Sequence, residues 1–558
     1  MAKNSRFCLF VILSLCHFTY AEQWVTQFGI TWTFDRDYTV GQFANGDYWV
    51  VGPVTIIGIG PPSLEIDGRV MNGSMVNPSP TTGGVQGYDN TMYAQYRKYA
   101  EGGGYDPRLN IARPNAQELS ESNPLVLQAH SSLVSTISVE ESGYRPQLKT
   151  AAVLTVLDAP APNGSFRPPY CGNDKTIRFH KDRLNYALLE NLTPVSGAPS
   201  LTTVERYFER PWLDHIPGWL DSYQHPIDNM PWYSREMATQ VGEGAVMLHL
   251  NFTRRQKETL LIRYVQLGID LYGIIQDGGR SNWVNNGGLA NGRKWPILFT
   301  GLVLNDPNMK NIGRKSGDYL YSGGHGPGNE PGDYIHFGED DQTFYVTAAD
   351  VEITHSARWN PDHRDTQKIP YGNEDIGLVE WGIRHSNAPE ASNKFWGTAY
   401  RLGTTASSWA GSLLATHIMQ ESASAKTLWN HDALFDYMDR YMQVQRQVAR
   451  SDIYKRQQSR FLALMWDAYR PEYGPVWTMS PTLNITAVGG SVARNPNSTT
   501  CVLGERVVLS VMADAGYEFV GWSGDLTGNE SPATIIMHSN QLITAEFKPI
   551  ANKPICEQ

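Results

Sequence analysis

Cysteine is scarce, with five residues in 558, and none sits in a CxxC or Cys/His spacing of the kind that holds zinc. Two of the five lie in the first 21 residues, which leaves Cys171, Cys501 and Cys556. Cys501 and Cys556 share the C-terminal region and are expected to pair if the chain is exported. Cys171 is then single and reads as a buried packing residue. Charge is also sparse, at 18% of residues, and acids outnumber bases 56 to 46. The net charge of −10 makes nucleic acid a poor partner. An anionic ligand would need a local cationic patch rather than the bulk field. Outside the first residues no apolar run approaches the length of a membrane span. No EF-hand spacing occurs, and no motif carries a complete catalytic signature.

What is present begins with a leader. Lys3 and Arg6 precede a short apolar core, Phe7 to Cys16, and Thr19 and Ala21 stand at the −3 and −1 positions of a cleavage site. The bulky Leu15 before Cys16 argues against a lipoprotein. Cleavage after Ala21 removes two cations and takes the charge to −12. The expected location is secreted or cell-surface, the periplasm included.

Length and pattern divide the rest into three domains of a multidomain α+β protein. Residues 22–160 read as a β-rich, sandwich-like domain: Phe28 to Phe34 alternates, and Tyr48 to Val51, Val54 to Ile59, Leu125 to Leu133 and Leu148 to Leu157 are strand-like. Residues 71–123 read as long loops. Residues 161–478 read as helical. Thr253 to Gln256 forms a capping box, and the apolar positions Leu261, Tyr264, Val265, Gly268, Leu271, Tyr272 and Ile275 follow at helical spacing. Residues 230–250, 394–419, 432–442 and 459–470 share that rhythm, and Asn185 to Leu192 starts the first helix-like run. Around 320–390 the helices are interrupted by a hairpin-like insertion rich in ionisable groups, with Thr343 to Ile353 and Gly377 to Ile383 as its strands.

Residues 479–550 form a small strand-rich module with a GYEFVGWSGD core (Gly516 to Asp525) and a closing Ala545-Glu546-Phe547. This stretch resembles the divergent InlB B-repeat of bacterial surface and secreted proteins. The resemblance implies a bacterial source and a β-grasp-like accessory unit for adhesion or spacing, attaching the chain to a cell surface or matrix.

The middle resembles the α/α-toroids of secreted polysaccharide lyases, through its series of helical hairpins, the NNGGLANGRKW turn (285–295) and the closing pattern of 429–470. The expected activity is β-elimination on a uronic-acid-containing polysaccharide. That chemistry needs a base for the C5 proton, an acid for the leaving oxygen, and cations or amides on the carboxylate. The polar turns supply these types. His385 or His336 is the expected base, and Tyr233 or Tyr400 the proton donor. Asn291, Arg293, Arg384, Arg235 and Arg401 are expected to hold substrate, with Trp232 and Trp283 as stacking platforms. The 16 Trp and 28 Tyr serve either a large core or such a cleft. A hydrolase would instead use paired carboxylates from Glu236, Glu339, Asp340, Asp341 and Glu380. A non-catalytic glycan-binding surface protein is the third reading. No cofactor is expected; a structural calcium at Glu339-Asp340-Asp341 is the alternative to a solvated acidic face.

Overall fold

A thirteen-residue strand, β2 (Ile30–Gln42), organises the N-terminal region of the computed structural model. The structure describes residues 20–82, 84–92, 104–114, 118–141, 146–216, 225–231, 233–283, 287–313, 335–356, 370–382, 396, 399–448 and 458–550. Strand β1 (Tyr20–Gln27) forms a hairpin with β2, and β3 (Tyr48–Val51) and β4 (Val54–Gly60) flank it. A short ribbon, β5 (Leu64–Ile66) with β6 (Arg69–Met71), and the strands β7 (Ser74–Val76), β8 (Leu125–Leu127), β9 (Ser131–Ser138) and β10 (Leu148–Leu157) complete the region. Apart from the ribbon, these strands form one sheet in the order β7-β9-β10-β3-β2-β4-β8. The expected sandwich of two sheets is thus a single mixed sheet, because β10 pairs parallel with β3 and antiparallel with β9 and ties both halves together.

Strand β10 also explains how this sheet meets the rest of the chain. Its side chains alternate between two cores. Ala152, Leu154 and Val156 join Trp32, Phe34 and Val54 in the core of the sheet. Ala151 and Val153 join the helices in the main core. The sheet is buried on both faces here, so the run reads as continuously apolar.

The helices are α1 (Leu201–Tyr207), α2 (Ser234–Leu248), α3 (Arg254–Gln276), α4 (Lys294–Val303), α5 (Pro307–Lys310) and α6 (Gly338–Asp341), followed by strand β11 (Thr343–Tyr345) and α7 (Ala348–Thr354). After strand β12 (Val379–Trp381) come α8 (Ala399–Gly403), α9 (Ala410–Ile418), α10 (Gln420–Ala423), α11 (Ala425–Trp429), α12 (Asp432–Val448) and α13 (Arg460–Tyr469). The Thr253 capping box opens α3 as its sequence predicts, with Gln256 bonding back to the Thr253 N–H. Helix α2 packs on α1, α3, α9 and α13 and is buried around most of its circumference. Its approach to α9 depends on two glycines: a Cβ at Gly411 would lie 2.5 Å from the Gly242 Cα.

Three local expectations change. Residues 343–353 are strand only to Tyr345, because Thr347 and Asp350 form a second capping box that starts α7. The β11–β12 hairpin pairing itself is present. Residues 394–419, expected as one helix, are broken into α8, a 3-10 turn at Ala406–Ser408 and α9. The run from Asn185 makes only a 3-10 turn at Tyr186–Leu188.

The C-terminal module consists of β13 (Leu483–Ala487), β14 (Gly490–Asn495), β15 (Arg506–Ala513), β16 (Tyr517–Gly524), β17 (Ala533–Ile536) and β18 (Gln541–Pro549). They form two three-stranded sheets, β13-β18-β16 and β14-β15-β17, around Trp522, Val507 and Ile543. Where a β-grasp-like unit was expected, the described residues of the module are all strand and turn. Cys501 is buried in the module core; its expected partner Cys556 lies outside the described residues, as do residues 1–19 of the expected leader. The module docks on α12, where Arg440 Nε donates to the His538 carbonyl at 2.9 Å and Leu503 enters the main core. Among the described residues no helix is long and apolar enough to cross a membrane.

Candidate functional site

The polar turns of the helical region meet at the N-terminal end of α2. Tyr233 is the residue before α2, and its hydroxyl lies over Gly288, where a Cβ would be 2.8 Å from it. Arg235 bonds the Gly403 carbonyl and the Glu236 carboxylate, and its guanidinium is 5.3 Å from the Tyr233 ring centroid. Arg293 donates to Ser234 Oγ at 2.8 Å. Gln342 reaches the Gly287 carbonyl, and the His336 N–H reaches the Arg280 carbonyl. Thus Tyr233, Arg235, Asn291, Arg293 and the backbone of 403–404 come together from segments spread over 170 residues of chain.

Beneath them lies a buried polar junction. Arg293 bonds both carboxylate oxygens of Asp214, at 2.8 and 3.1 Å. His225 Nε2 meets the same carboxylate at 2.8 Å. Asn282 donates to the Asp214 and His215 carbonyls, and the Tyr170 hydroxyl receives the Asp214 N–H at 3.0 Å. Tyr170 and Tyr88 stand edge-on to the His215 ring, with centroids 5.8 and 6.1 Å away. Burial alone would push the Asp214 carboxyl up, but Arg293 and His225 outweigh it and hold it well below the usual range. Burial takes His215 down to about 3, so its ring is neutral at pH 7. Burial pushes the phenols of Tyr88 and Tyr170 well above 10, so both keep their protons.

This junction leaves several buried polar atoms unmatched. His215 Nε2, His225 Nδ1, Tyr88 Oη, Asn291 Oδ1 and Trp283 Nε1 are buried with no hydrogen-bond partner among the described residues. Such atoms occur elsewhere among the described residues, but here five belong to neighbouring residues.

Other predicted site residues are taken up in internal contacts. His336 pairs with Asp341 at 3.0 Å. Trp283 stacks on Phe337, with centroids 6.0 Å apart. Arg401 pairs with Glu380 at 2.7 Å, its guanidinium 4.2 Å from the Trp396 ring centroid. The acidic run does not form one cluster: Glu339 accepts from the Gly292 N–H, Asp340 from Lys294, and Asp341 meets His336 Nδ1 at 3.0 Å. Burial and the neighbouring Asp340 push Glu339 up to about 7. Among the described residues no group of three or more His, Cys, Asp or Glu is arranged to hold a metal. His385, Arg384 and Trp232 lie outside the described residues, and so does the side chain of Tyr400.

Tyr88, Tyr170, Asp214, His215, His225 and Asn282 were not among the expected site residues. The one available signal was the crowding of His215, His225 and aromatics in residues 211–237; Tyr88 and Tyr170 lie in loop sequences with no periodicity to mark them.

The divergent InlB B-repeat domain matches residues 481–551, so the C-terminal module is similar to that bacterial repeat. No curated protein and no solved structure matches the chain.

Proposed function

We propose that this chain is an exported carbohydrate-active enzyme that cleaves a uronate-containing polysaccharide by β-elimination at the polar junction. The observation that carries the reading is the set of unmatched buried polar atoms around His215. β-Elimination asks for those group types together. His215 would take the C5 proton, the C–H electrons form the C4–C5 double bond, the C4–O bond breaks, and Tyr170 protonates the departing oxygen. Arg293 and His225, both bonded to Asp214, and the amide of Asn291 are the groups beside His215 that a uronate carboxylate would have to engage. A carboxylate bound beside His215 would raise the imidazole toward the working pH, which a base requires.

The helices supply the frame of this proposal. In this reading the hairpins form a toroid-like frame in which α2 packs on α3 and α3 on α4. The C-terminal repeat would attach the enzyme to a cell surface or matrix.

Hydrolysis is the second reading, favoured by the high pKa of Glu339.

The test is to mix the protein with alginate, glucuronan and a glycosaminoglycan and follow the ultraviolet band of an unsaturated uronate. Growth of that band, abolished in His215→Asn and Tyr170→Phe proteins that remain folded by circular dichroism, is the expected result. Reducing ends without the band would select hydrolysis, and binding without either product would select a glycan-binding protein.

A further inference from the structure

A second cleft lies away from the junction. It holds about 530 Å³, within the range of small-ligand sites, between residues 166–179 and the last turns of α3. Its first wall is preformed. The carbonyls of Pro169, Tyr170 and Cys171 converge on Lys175 Nζ at 2.7, 3.1 and 3.2 Å. Arg167 is fixed between Asp47 and Asp270. The segment sits close on α3 because position 273 is glycine; a Cβ there would lie 2.2 Å from the Pro169 side chain.

The lining has a definite chemistry. Phe179 and Tyr272 are half-buried and turn ring surface toward the cleft. Gln276 and Asn308 are exposed, and their amides make no hydrogen bond to any described residue. Asp277 adds a carboxylate, in contact with the Cys171 thiol at 3.6 Å. The exposed cation, Arg178, is occupied by Asp174. The remaining charge is therefore negative, the wrong sign for a uronate or a phosphate. Amides that donate and accept, a carboxylate that accepts, and flat apolar rings suit a ligand that is uncharged, rich in hydroxyls and apolar on its C–H faces.

We infer that this cleft binds a neutral oligosaccharide, as a site distinct from the polar junction. The wall from Pro169 to Cys171 separates the two: Tyr170 reaches the junction while Cys171 lines the cleft. The assignment does not depend on the elimination chemistry. It would give the protein a hold on the uncharged part of a mixed glycan.

Calorimetry on the full chain with cellohexaose, xylohexaose, mannohexaose and maltohexaose tests this, with an oligouronate in parallel. At least one neutral hexasaccharide should bind, and Tyr272→Ala and Asn308→Ala should each weaken it about tenfold, or ~1.4 kcal/mol, at unchanged Tm. His215→Asn should leave that affinity intact. The inference is overturned if no neutral hexasaccharide binds, if binding survives both cleft substitutions, or if the cleft variants lose only oligouronate. Neutral-sugar binding with no elimination on any polymer would retire the lyase proposal and leave this one standing.

Discussion

Arg293 grips Asp214 through Nε and Nη2 at once, and neither side chain is exposed to solvent. Each ion is the other's main compensation for leaving water, and removing one strands the other in the interior. Asp214→Asn should lower the unfolding free energy by about 3–5 kcal/mol in urea titrations. The double variant Asp214→Leu with Arg293→Met should lose less than the two single changes added together, because the residues act as a unit. Additive losses would show that the pair contributes no coupling.

Two imidazoles make stability depend on pH. Burial takes both His215 and His249 to about 3, against about 6.5 in an unfolded chain. Between those values the unfolded chain binds more protons, so stability is full above pH 6.5 and falls as pH drops toward 3. Each ring contributes a slope of up to about 1.4 kcal/mol per pH unit. The clean measurement is a difference: His249→Asn should flatten the acid limb of the wild-type curve by one such step. An unchanged slope would mean that the ring is protonated in the folded protein.

Glu339 acts in the opposite sense. Its folded pKa of about 7 exceeds the unfolded value near 4.3, so the folded state holds the extra proton between them. Its contribution is present at low pH and is lost as pH rises through 7. Glu339→Gln keeps an acceptor for the Gly292 N–H and removes the titration. The variant should gain on the wild type by about 1.4 kcal/mol for each pH unit between about 4.3 and 7, read from Tm across that window. A constant gap would place the carboxyl near its ordinary value.

Arg440 joins two regions of the chain. It donates to the carbonyls of Val379 and His538 and pairs with Glu380, all out of solvent. Calorimetry should therefore record the helical region and the C-terminal module melting in one transition. Arg440→Ala should cost about 3–5 kcal/mol, because Glu380 then depends on Arg401 alone. A second, separate transition in the wild type would contradict the docking.

Local order was legible in the sequence wherever it is made by neighbours in the chain. The Thr253 box, the length of α3 and the strands at 48–51, 54–60 and 148–157 follow from caps and spacing. The same logic failed at 343–353, where alternation suggested strand but Thr347 and Asp350 satisfy each other and turn the backbone into helix. The site was far less legible. Arg293 and Lys294 sit in a glycine-rich turn that reads as exposed, yet both are buried by carboxylates 79 and 46 residues away. The groups around His215 come from residues 88, 170, 214, 225 and 293, and no periodic pattern connects them.

The seam between α12 and the last module changes what that module can be mechanically. With Leu503 in the shared core and the His538 carbonyl bonded to Arg440, it has no slack to swing on. Whatever it fastens to would set the orientation of the whole molecule, so that the cleft beside Tyr272 would face one fixed direction instead of sweeping its surroundings.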